Sequence, residues 1–589
     1  MTRRLVGLVL ALSLLGGCVS LPSGGSVSTR PADGPVGEGA GTFDYTPAGP
    51  RRGAPPQNIV YDFLRAMEAA PQSTAVAREY LTDEARARWF PERSTLVYDT
   101  QVLDASTGGE GAYVLRLDGT YRLDDRGSWL GRAGGDDGID YGLSLVRQRG
   151  EWRIDNPPDS LLVTRQHFES RYQQYLLYFF DPTGEVLVPE PTYLPYGEQA
   201  PATLVRRLLR GPHPRAEGVL RTYIPVGTEH TLSVPVSAGG VADVGLNRQL
   251  LQLSGEQRQR ALAQLAWTLG QVTGVESLRV TVGGEPLGIP GAGNPLSVSS
   301  FSEYDPAIHW ASREVFGIQD GRVVALSADA DEVVGRFGAD EYALRSIAVD
   351  LAGEQVAGVS EDGTTVVLAP RGRTLAEAPP PEETRVVHTG TDVLPPSWNV
   401  FDELWLVDRT SRGVAVSVAV GDRVSPVRAP GLARLDVSAF VVSRDGTRVV
   451  AAVDGQDGDH LAMMRVLRTE DGRVRGLTRP VELPLAQPGP DEIRDLAWRT
   501  PAGLAVLTTA TPNAAQVLLA LVDGSPALPD VDSSADLLRL RSREVVAAPI
   551  SGAPVLIGGA RGELFELAGD GQWVEVPLEL PVLAPTYAG

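Results

Sequence analysis

Two stretches decide the fold because they repeat one another: SIAVDLAGEQVAGVSEDGTTVVLA at 346–369 and AFVVSRDGTRVVAAVDG at 439–455. Each is an apolar run, a turn containing Gly and Asp, and a second apolar run, which is the pattern of a β-hairpin. The same frame fits three further stretches: PPSWNVFDELWLVD at 395–408, DLAWRTPAGLAVLTT at 495–509 and VVAAPISGAPVLIGG at 545–559.

Placing these stretches in register gives a repeat length. The aligned positions are Val349, Trp398, Val442, Trp498 and Ala548, with spacings of 49, 44, 56 and 50. Short strands repeating every 40–55 residues or so are typical of a β-propeller. An earlier partial unit at 309–329 brings the expectation to about six blades, and we assign the propeller to 296–589.

The chain ahead of the propeller predicts two α+β units. In the first, 55–168, a helix is followed by alternating strands and a hairpin that turns at Arg149–Gly150. The second, 169–295, predicts a hairpin over 175–191, a helix over 200–212 and a longer helix that opens on a capping box of Ser254 and Gln257. A strand then ends at the Gly283–Gly284 turn. The predicted fold class is therefore multidomain, α+β followed by all-β.

Two resemblances refine these units. Short helices, a curved antiparallel sheet and the ending GEWRIDNPP in the first unit resemble the NTF2-like cone. The second unit resembles a GerMN domain through YFFDPTG, LLRGP, IPVGT, ADVGL and the closing WTLGQVTGVESLRVTVGGEPL. The GerMN resemblance implies a domain without established catalytic residues that contacts a protein or a cell-wall component.

The N-terminus has the parts of an export signal. Arg3 and Arg4 precede an apolar run over 5–15, which as a helix is about 17 Å long and too short to cross a bilayer. The run ends at Gly16 and Gly17, and the only cysteine of the chain, Cys18, follows. Residues 1–17 are thus a predicted signal peptide. The Gly-, Pro- and Ser-rich stretch 18–54 is a predicted flexible tether.

Leu15-Gly16-Gly17-Cys18 resembles the lipobox of bacterial lipoproteins. The resemblance implies cleavage between Gly17 and Cys18, a diacylglyceryl group on the Cys18 thiol and an acyl chain such as palmitate on the new amine. Two or more acyl chains anchor a protein stably in a membrane, whereas a single acyl chain does not. The alternative is an ordinary signal peptide with a cysteine there by chance.

Composition excludes several classes of function. With a net charge of −21, the chain would be repelled by nucleic-acid phosphates and by anionic lipid. It contains no lysine, so P-loop and Schiff-base chemistry are excluded. A single cysteine excludes an intrachain disulfide and a cysteine-based zinc site.

No catalytic pattern is visible in the sequence, and we expect no enzyme activity, cofactor or metal. The six histidines form no HExxH or HxH spacing, and no GxSxG elbow occurs. Acidic clusters occur at 136–140 and 454–460, where calcium ligands and tight Asp-Gly turns are alternative explanations. The turn is the favoured explanation.

The order of parts, together with LPPSW and SRDGTRV in the propeller, resembles the LpqB family of actinobacterial lipoproteins. The resemblance implies a protein anchored to the outer face of the cell membrane. It implies as partner the extracellular part of the sensor kinase MtrB of the MtrAB two-component system, with effects on cell-wall homeostasis and division. One alternative is a lipoprotein that binds cell-wall glycan or peptidoglycan. Another is a propeller hydrolase, which would need acidic residues or histidines converging on the central channel.

Overall fold

A computed structural model describes residues 45–589, apart from 70–71, 136–137, 290–292, 309, 327–330, 333, 340–341, 373–383, 456–457, 486–491, 512, 527–536 and 570. These residues form one compact unit that begins at Tyr45. Within it, a first domain, a second domain and a propeller follow one another along the chain. The predicted multidomain class is confirmed.

The first domain begins with helices and continues as two four-stranded sheets. Its helices are α1 (Pro56–Ala66) and α2 (Asp83–Arg88), with 3₁₀ turns at Ala77–Tyr80 and Pro91–Arg93. Its strands are β1 (Thr95–Tyr98), β2 (Thr100–Ala105), β3 (Ala112–Asp118), β4 (Tyr121–Leu123), β5 (Trp129–Arg132), β6 (Ile139–Gln148), β7 (Glu151–Ile154) and β8 (Leu161–Thr164). The sheets are ordered β5-β4-β1-β8 and β2-β3-β6-β7.

The predicted hairpin turn lies between β6 and β7, where Arg149 and Gly150 both have positive φ, as a two-residue turn requires. The expectation of a purely antiparallel sheet is wrong in one place. Strands β1 and β8 pair in parallel, since the chain passes through the other sheet, with its β6–β7 hairpin, before β8 joins the edge of the first sheet beside β1.

Residues 45–54, which the sequence assigns to the tether, lie against the first domain. The Tyr80 hydroxyl donates to the carbonyl of Ala48 at 2.7 Å, and the Gly53 amide donates to Glu151 at 2.8 Å. The first domain therefore includes residues ahead of its first helix.

The second domain is built on one long antiparallel hairpin. After α3 (Arg165–Arg171), β9 (Tyr172–Phe180) pairs with β10 (Leu187–Pro195). The other elements are α4 (Ala200–Leu209), β11 (Val241–Leu246), α5 (Gly255–Gly270), β12 (Ser277–Val282), β13 (Glu285–Pro286), β14 (Leu296–Ser297) and 3₁₀ turns at Pro214–Ala216, Arg248–Gln252 and Val298–Tyr304. The sequence places the domain boundary at 295, whereas Leu296 and Phe301 pack in this domain's core.

Helix α5 covers the free edge of β9. The predicted capping box of Ser254 and Gln257 is present and fixes its first turn. Gln264, Thr268 and Gln271 recur every three or four residues and so share one face of the helix. Gln271 bonds both the N–H and the C=O of Leu176, and Gln264 donates to the carbonyl of Tyr178 at 2.9 Å. The side chains thus replace a third strand and satisfy β9's backbone groups.

Six sheets make up the described part of the propeller, as the repeat length predicts. In chain order the strands are β15 (Val315–Gln319), β16 (Arg322–Ala325), β17 (Asp331–Glu332), β18 (Val334–Gly335), β19 (Leu344–Val349), β20 (Gln355–Ser360), β21 (Thr365–Gly372), β22 (Arg385–Thr389), β23 (Ser397–Trp398), β24 (Leu404–Thr410), β25 (Gly413–Val420), β26 (Arg423–Val427), β27 (Val437–Val442), β28 (Arg448–Val453), β29 (His460–Arg468), β30 (Val474–Leu477), β31 (Val481–Leu483), β32 (Ile493–Thr500), β33 (Gly503–Thr511), β34 (Ala514–Leu521), β35 (Ser542–Val546), β36 (Leu556–Gly559), β37 (Leu564–Leu567), β38 (Trp573–Glu575) and β39 (Leu583–Tyr587). Helix α6 (Arg336–Ala339) and 3₁₀ turn Leu432–Arg434 connect strands.

The last strand closes the ring. Strand β39 pairs with β15 and becomes the innermost strand of the first blade. The innermost strands of the other five blades are β19, β23, β27, β32 and β35. Four of the five aligned sequence positions lie in these innermost strands, and Ala548 follows β35 by two residues. The alignment therefore located the wall of the central channel.

Candidate binding site

The sequence-predicted site residues Gly17 and Cys18 lie outside the described residues. His309 and part of each acidic cluster lie outside them as well. Among the described residues, no group of three or more His, Cys, Asp or Glu side chains could hold a metal. Of the two acidic clusters, Asp140 pairs with Arg116 at 2.8 Å, and Asp459 accepts the Ile493 amide at 2.7 Å.

The β9–β10 hairpin joins the three domains. At one end, Tyr172 and Tyr193 belong to the core of the first domain, where the Tyr193 ring lies 5.5 Å from that of Phe168. The Tyr193 hydroxyl also bonds Ser525 of the propeller. Its pKa is raised well above the usual value, chiefly by burial. One tyrosine therefore contacts both neighbours of the second domain.

The hairpin also carries a buried ion-pair cluster, the joint, made of Glu190, Arg448 and Arg465. Arg465 holds Glu190 through two bonds of 2.8 Å, and Arg448 adds one of 2.6 Å. Arg448 is 0 % exposed, and the other two side chains are each 18 % exposed. Burial alone raises the pKa of Glu190, but Arg465 and Arg448 outweigh it and lower the pKa to about 2. The joint thus fastens the second domain to the propeller.

The SRDGTRV stretch supplies one arginine to the joint and one to the channel. Asp445 accepts hydrogen bonds from Ser443 and from both the amide and hydroxyl of Thr447, at 2.5–2.9 Å. These bonds close a tight turn between β27 and β28. Arg444 leaves this turn toward the channel, whereas Arg448 begins β28 and reaches Glu190.

The channel is a cavity of about 350 Å³ enclosed by the innermost strands of the blades. Since the blades repeat, these strands run in the same direction, and residues at their beginnings share one end of the channel, here called the mouth. Three channel-lining arginines, Arg345, Arg494 and Arg543, lie near the beginnings of innermost strands and so at the mouth. Arg409 also lines the channel there, near the end of β24, which runs antiparallel to the innermost strand β23. Arg345 and Arg409 share Asp392 at 2.7 and 2.5 Å. This lining is strongly basic for a chain of net charge −21.

Two carboxyl groups, Asp495 and Glu544, also line the mouth. Burial raises the pKa of Asp495 to about 7, and burial and the charge of Asp495 raise the pKa of Glu544 to about 8. Asp495 accepts the amide of Val545 at 2.9 Å and so ties blade five to blade six. Neither carboxyl is fully charged at neutral pH, so this pair cancels little of the arginine charge at the mouth. No sequence pattern indicates this pair or the channel arginines.

Arg444 follows the innermost strand of blade four and lies at the opposite end, here called the floor. It is 5 % exposed, and Nη2 donates to the carbonyl of Ala588. Its Nη1 has no hydrogen-bond partner, and among the described residues no carboxylate influences the pKa of its guanidinium. Burial lowers the pKa of Arg444 to about 10. The floor therefore holds a buried cation without a counterion.

Comparison with known proteins gives this architecture a family. Residues 49–169 match the family model for the N-terminal domain of lipoprotein LpqB, and residues 321–588 match that for the LpqB β-propeller. The chain belongs to the LpqB lipoprotein family. Residues 176–288 match a third model, described as sporulation and spore germination.

Full-length relatives agree with this assignment. Lipoprotein LpqB of Thermobifida fusca is 29 % identical over 92 % of each chain, and that of Mycolicibacterium smegmatis is 28 % identical over 100 % of each. A solved structure, the first GerMN domain of GerM from Bacillus subtilis, is 23 % identical and covers 21 % of this chain and 94 % of its own, with a TM-score of 0.18.

Membership in the LpqB family indicates a membrane-anchored protein on the extracytoplasmic side. The relatives are named as lipoproteins rather than as enzymes. No helix in the described part of the chain is long and apolar enough to cross a membrane.

Proposed function

We propose that this LpqB lipoprotein is held on the outer face of the cell membrane by lipid on Cys18, after cleavage behind Gly17, and that it modulates a sensor kinase of the MtrB type. The observation that carries the proposal is twofold. The chain is an LpqB-family protein with a lipobox, and the buried joint holds its second domain and its propeller together. Such a body presents one fixed surface to a partner, and confinement to a membrane raises its effective concentration, so a weak interface suffices.

The loop 225–236 of the second domain is the surface that we assign to this contact. Val226 and Leu232 on this loop are fully exposed, and Leu251 nearby in the chain is half exposed. The loop also borders a recess of about 350 Å³ whose lining includes Arg206, Arg210 and His230 and one carboxylate, Glu229. Apolar side chains beside basic ones suit a protein partner that offers an apolar patch with acidic neighbours.

The test is photo-crosslinking in intact cells, since the chain has no lysine for amine reagents. A photoreactive residue at Leu251 should capture the kinase, and Val226→Asp with Leu232→Asp should abolish capture while the urea unfolding curve stays unchanged. Val102→Asp, at a half-exposed valine of the first domain, is the matched control and should capture normally. Capture that survives the loop variants would refute the assigned surface. Capture of cell-wall glycan without kinase would favour the wall-binding alternative.

The lipid anchor has a separate test. Cys18→Ala should release the protein from the membrane and abolish its effect on signalling. Replacing residues 1–18 with an unrelated transmembrane helix should restore that effect, because the anchor acts only by confinement. If Cys18→Ala signals normally at native abundance, the anchor has no such role.

The proposal assigns no catalysis to Asp495 and Glu544. Two carboxyls with pKa values near neutrality are the residue types that the hydrolase alternative needs. Purified protein incubated with cell-wall polysaccharide should therefore release no sugar. Release that Glu544→Gln abolishes would show that the channel is an active site.

A further inference from the structure

We propose that the propeller channel binds a small oxyanion, a molecule that carries carboxylate or phosphate groups. This site is independent of the kinase contact, which we assign to the second domain. Three features of the channel support it: the arginines at the mouth, the buried cation at the floor and the weak negative charge between them.

The mouth provides the direct contacts. Arg345 is 33 % exposed and uses only Nη2 for Asp392 and the Val393 carbonyl, so it keeps donors for a ligand. Arg494 is 27 % exposed, and its nitrogens bond Thr509, Ser542 and Glu492, so it contributes mainly charge. Guanidinium groups present paired N–H donors whose spacing matches carboxylate and phosphate oxygens. The aligned strands place arginines on several blades at one level, so that they can converge on one ligand.

The cation at the floor is a reason to expect that an anion in the channel would stabilise the protein. A buried guanidinium without a partner costs free energy, because it has lost water and gained no countercharge. Arg444 is in that position, and its Nη1 has no acceptor. An anion in the channel would supply the missing charge in a low-dielectric cavity, where the attraction is strong.

The groups facing Glu544 define how binding depends on pH. Burial has the largest effect and raises the pKa of Glu544. The charge of Asp495 raises this pKa further, and the charge of Arg543 lowers it. When Glu544 and Asp495 take up protons, they stop repelling an anion. Affinity for an oxyanion should therefore rise as the pH falls through 8 and then 7.

Calorimetric titration of the full chain in detergent at low ionic strength, with citrate and inorganic phosphate as separate probes, tests the proposal. At least one probe should bind with a stoichiometry of one, more tightly at acidic than at basic pH. If citrate alone binds, the ligand class is carboxylate, and if phosphate alone binds, it is phosphate. If neither binds at millimolar concentration, the proposal is refuted.

Three variants locate the site. Arg444→Met should weaken binding by about tenfold or more, because the anion then loses the attraction of a buried charge in the same cavity. Arg434→Met, at an exposed arginine outside the channel lining, should change nothing. Glu544→Gln should tighten binding severalfold above pH 8 and flatten its pH dependence. This gain also keeps the test decisive if Arg444→Met fails to fold. Binding that Glu544→Gln leaves unchanged would place the anion outside the channel.

Discussion

Replacing Glu190 with Gln should uncouple the second domain from the propeller. The substitution keeps the side-chain volume and removes the charge that Arg448 and Arg465 share. The pKa of Glu190 falls from 4.5 to about 2 on folding, and 1.36 kcal/mol per unit gives about 3 kcal/mol of stability at neutral pH. A second estimate comes from other proteins: removing one partner of a buried ion pair leaves the other charge unpaired and costs about 3–5 kcal/mol. Both figures predict a loss of about 3 kcal/mol or more.

The pH dependence of this contribution has a definite sign. A carboxyl whose pKa is lower in the folded chain stabilises fully above its unfolded pKa of 4.5. The contribution of Glu190 is then lost as the pH falls toward 2. Glu190→Gln should therefore lose stability at neutral pH and differ little from the parent at the acid end.

Urea unfolding followed by tryptophan fluorescence measures the loss, because urea, unlike guanidinium, adds no salt. Asp140→Asn is the matched control, since Asp140 also bonds one arginine through two hydrogen bonds, but on the surface. It should leave the unfolding curve unchanged. Arg465→Met should recover part of the loss in the Glu190→Gln background, because one unpaired cation is then removed. If Glu190→Gln costs no more than Asp140→Asn, the joint does not fasten the domains.

Three other substitutions test local parts of the fold. The parent should lose stability as the pH rises from 4.5 to 8, because Glu544 ionises more readily in the unfolded chain than in the folded one. Glu544→Gln removes this loss and should be more stable than the parent above pH 8 by about 2 kcal/mol in urea unfolding. This is less than the pKa shift alone would give, because Glu544 is partly exposed. Ser254→Ala removes the capping box and should cost about 1 kcal/mol in the same assay. Gly413→Ala should cost more than about 2 kcal/mol and lower the thermal midpoint, because an added Cβ would lie 1.7 Å from the carbonyl oxygen of Ala433. Gly421→Ala, where φ is also positive but the space is open, should cost less.

Much of the propeller could be predicted because every blade packs against its neighbours in the same way. The innermost strand must present apolar residues to both neighbouring blades, so apolar runs recur at similar spacings, and Val349 and Val442 end two of these runs. The closing strand β39 escaped prediction for a physical reason. It completes a blade whose other strands lie at the opposite end of the domain, so no local repeat contains both parts.

The joint and the channel charges could not be read from the sequence. Glu190 lies in VPEP and Arg465 in MMRVL, two ordinary strand contexts that are 275 positions apart. A charged residue at such a position is usually solvated, and only the packing of the hairpin on blade four buries both. Asp495 and Glu544 are equally ordinary in sequence, since burial by neighbouring blades is what raises their pKa values.

In the SRDGTRV turn, the local sequence determines the backbone and tertiary packing determines the roles of the two arginines. The sequence identified this stretch as a hairpin turn, and Ser443, Asp445 and Thr447 do form that turn. The same bonds fix the directions of Arg444, which lies within the turn, and of Arg448, which directly follows it. One arginine then becomes the unpaired cation of the channel floor and the other the buried cation of the joint. The local pattern therefore determines the turn, while the surroundings of each arginine determine what its charge does.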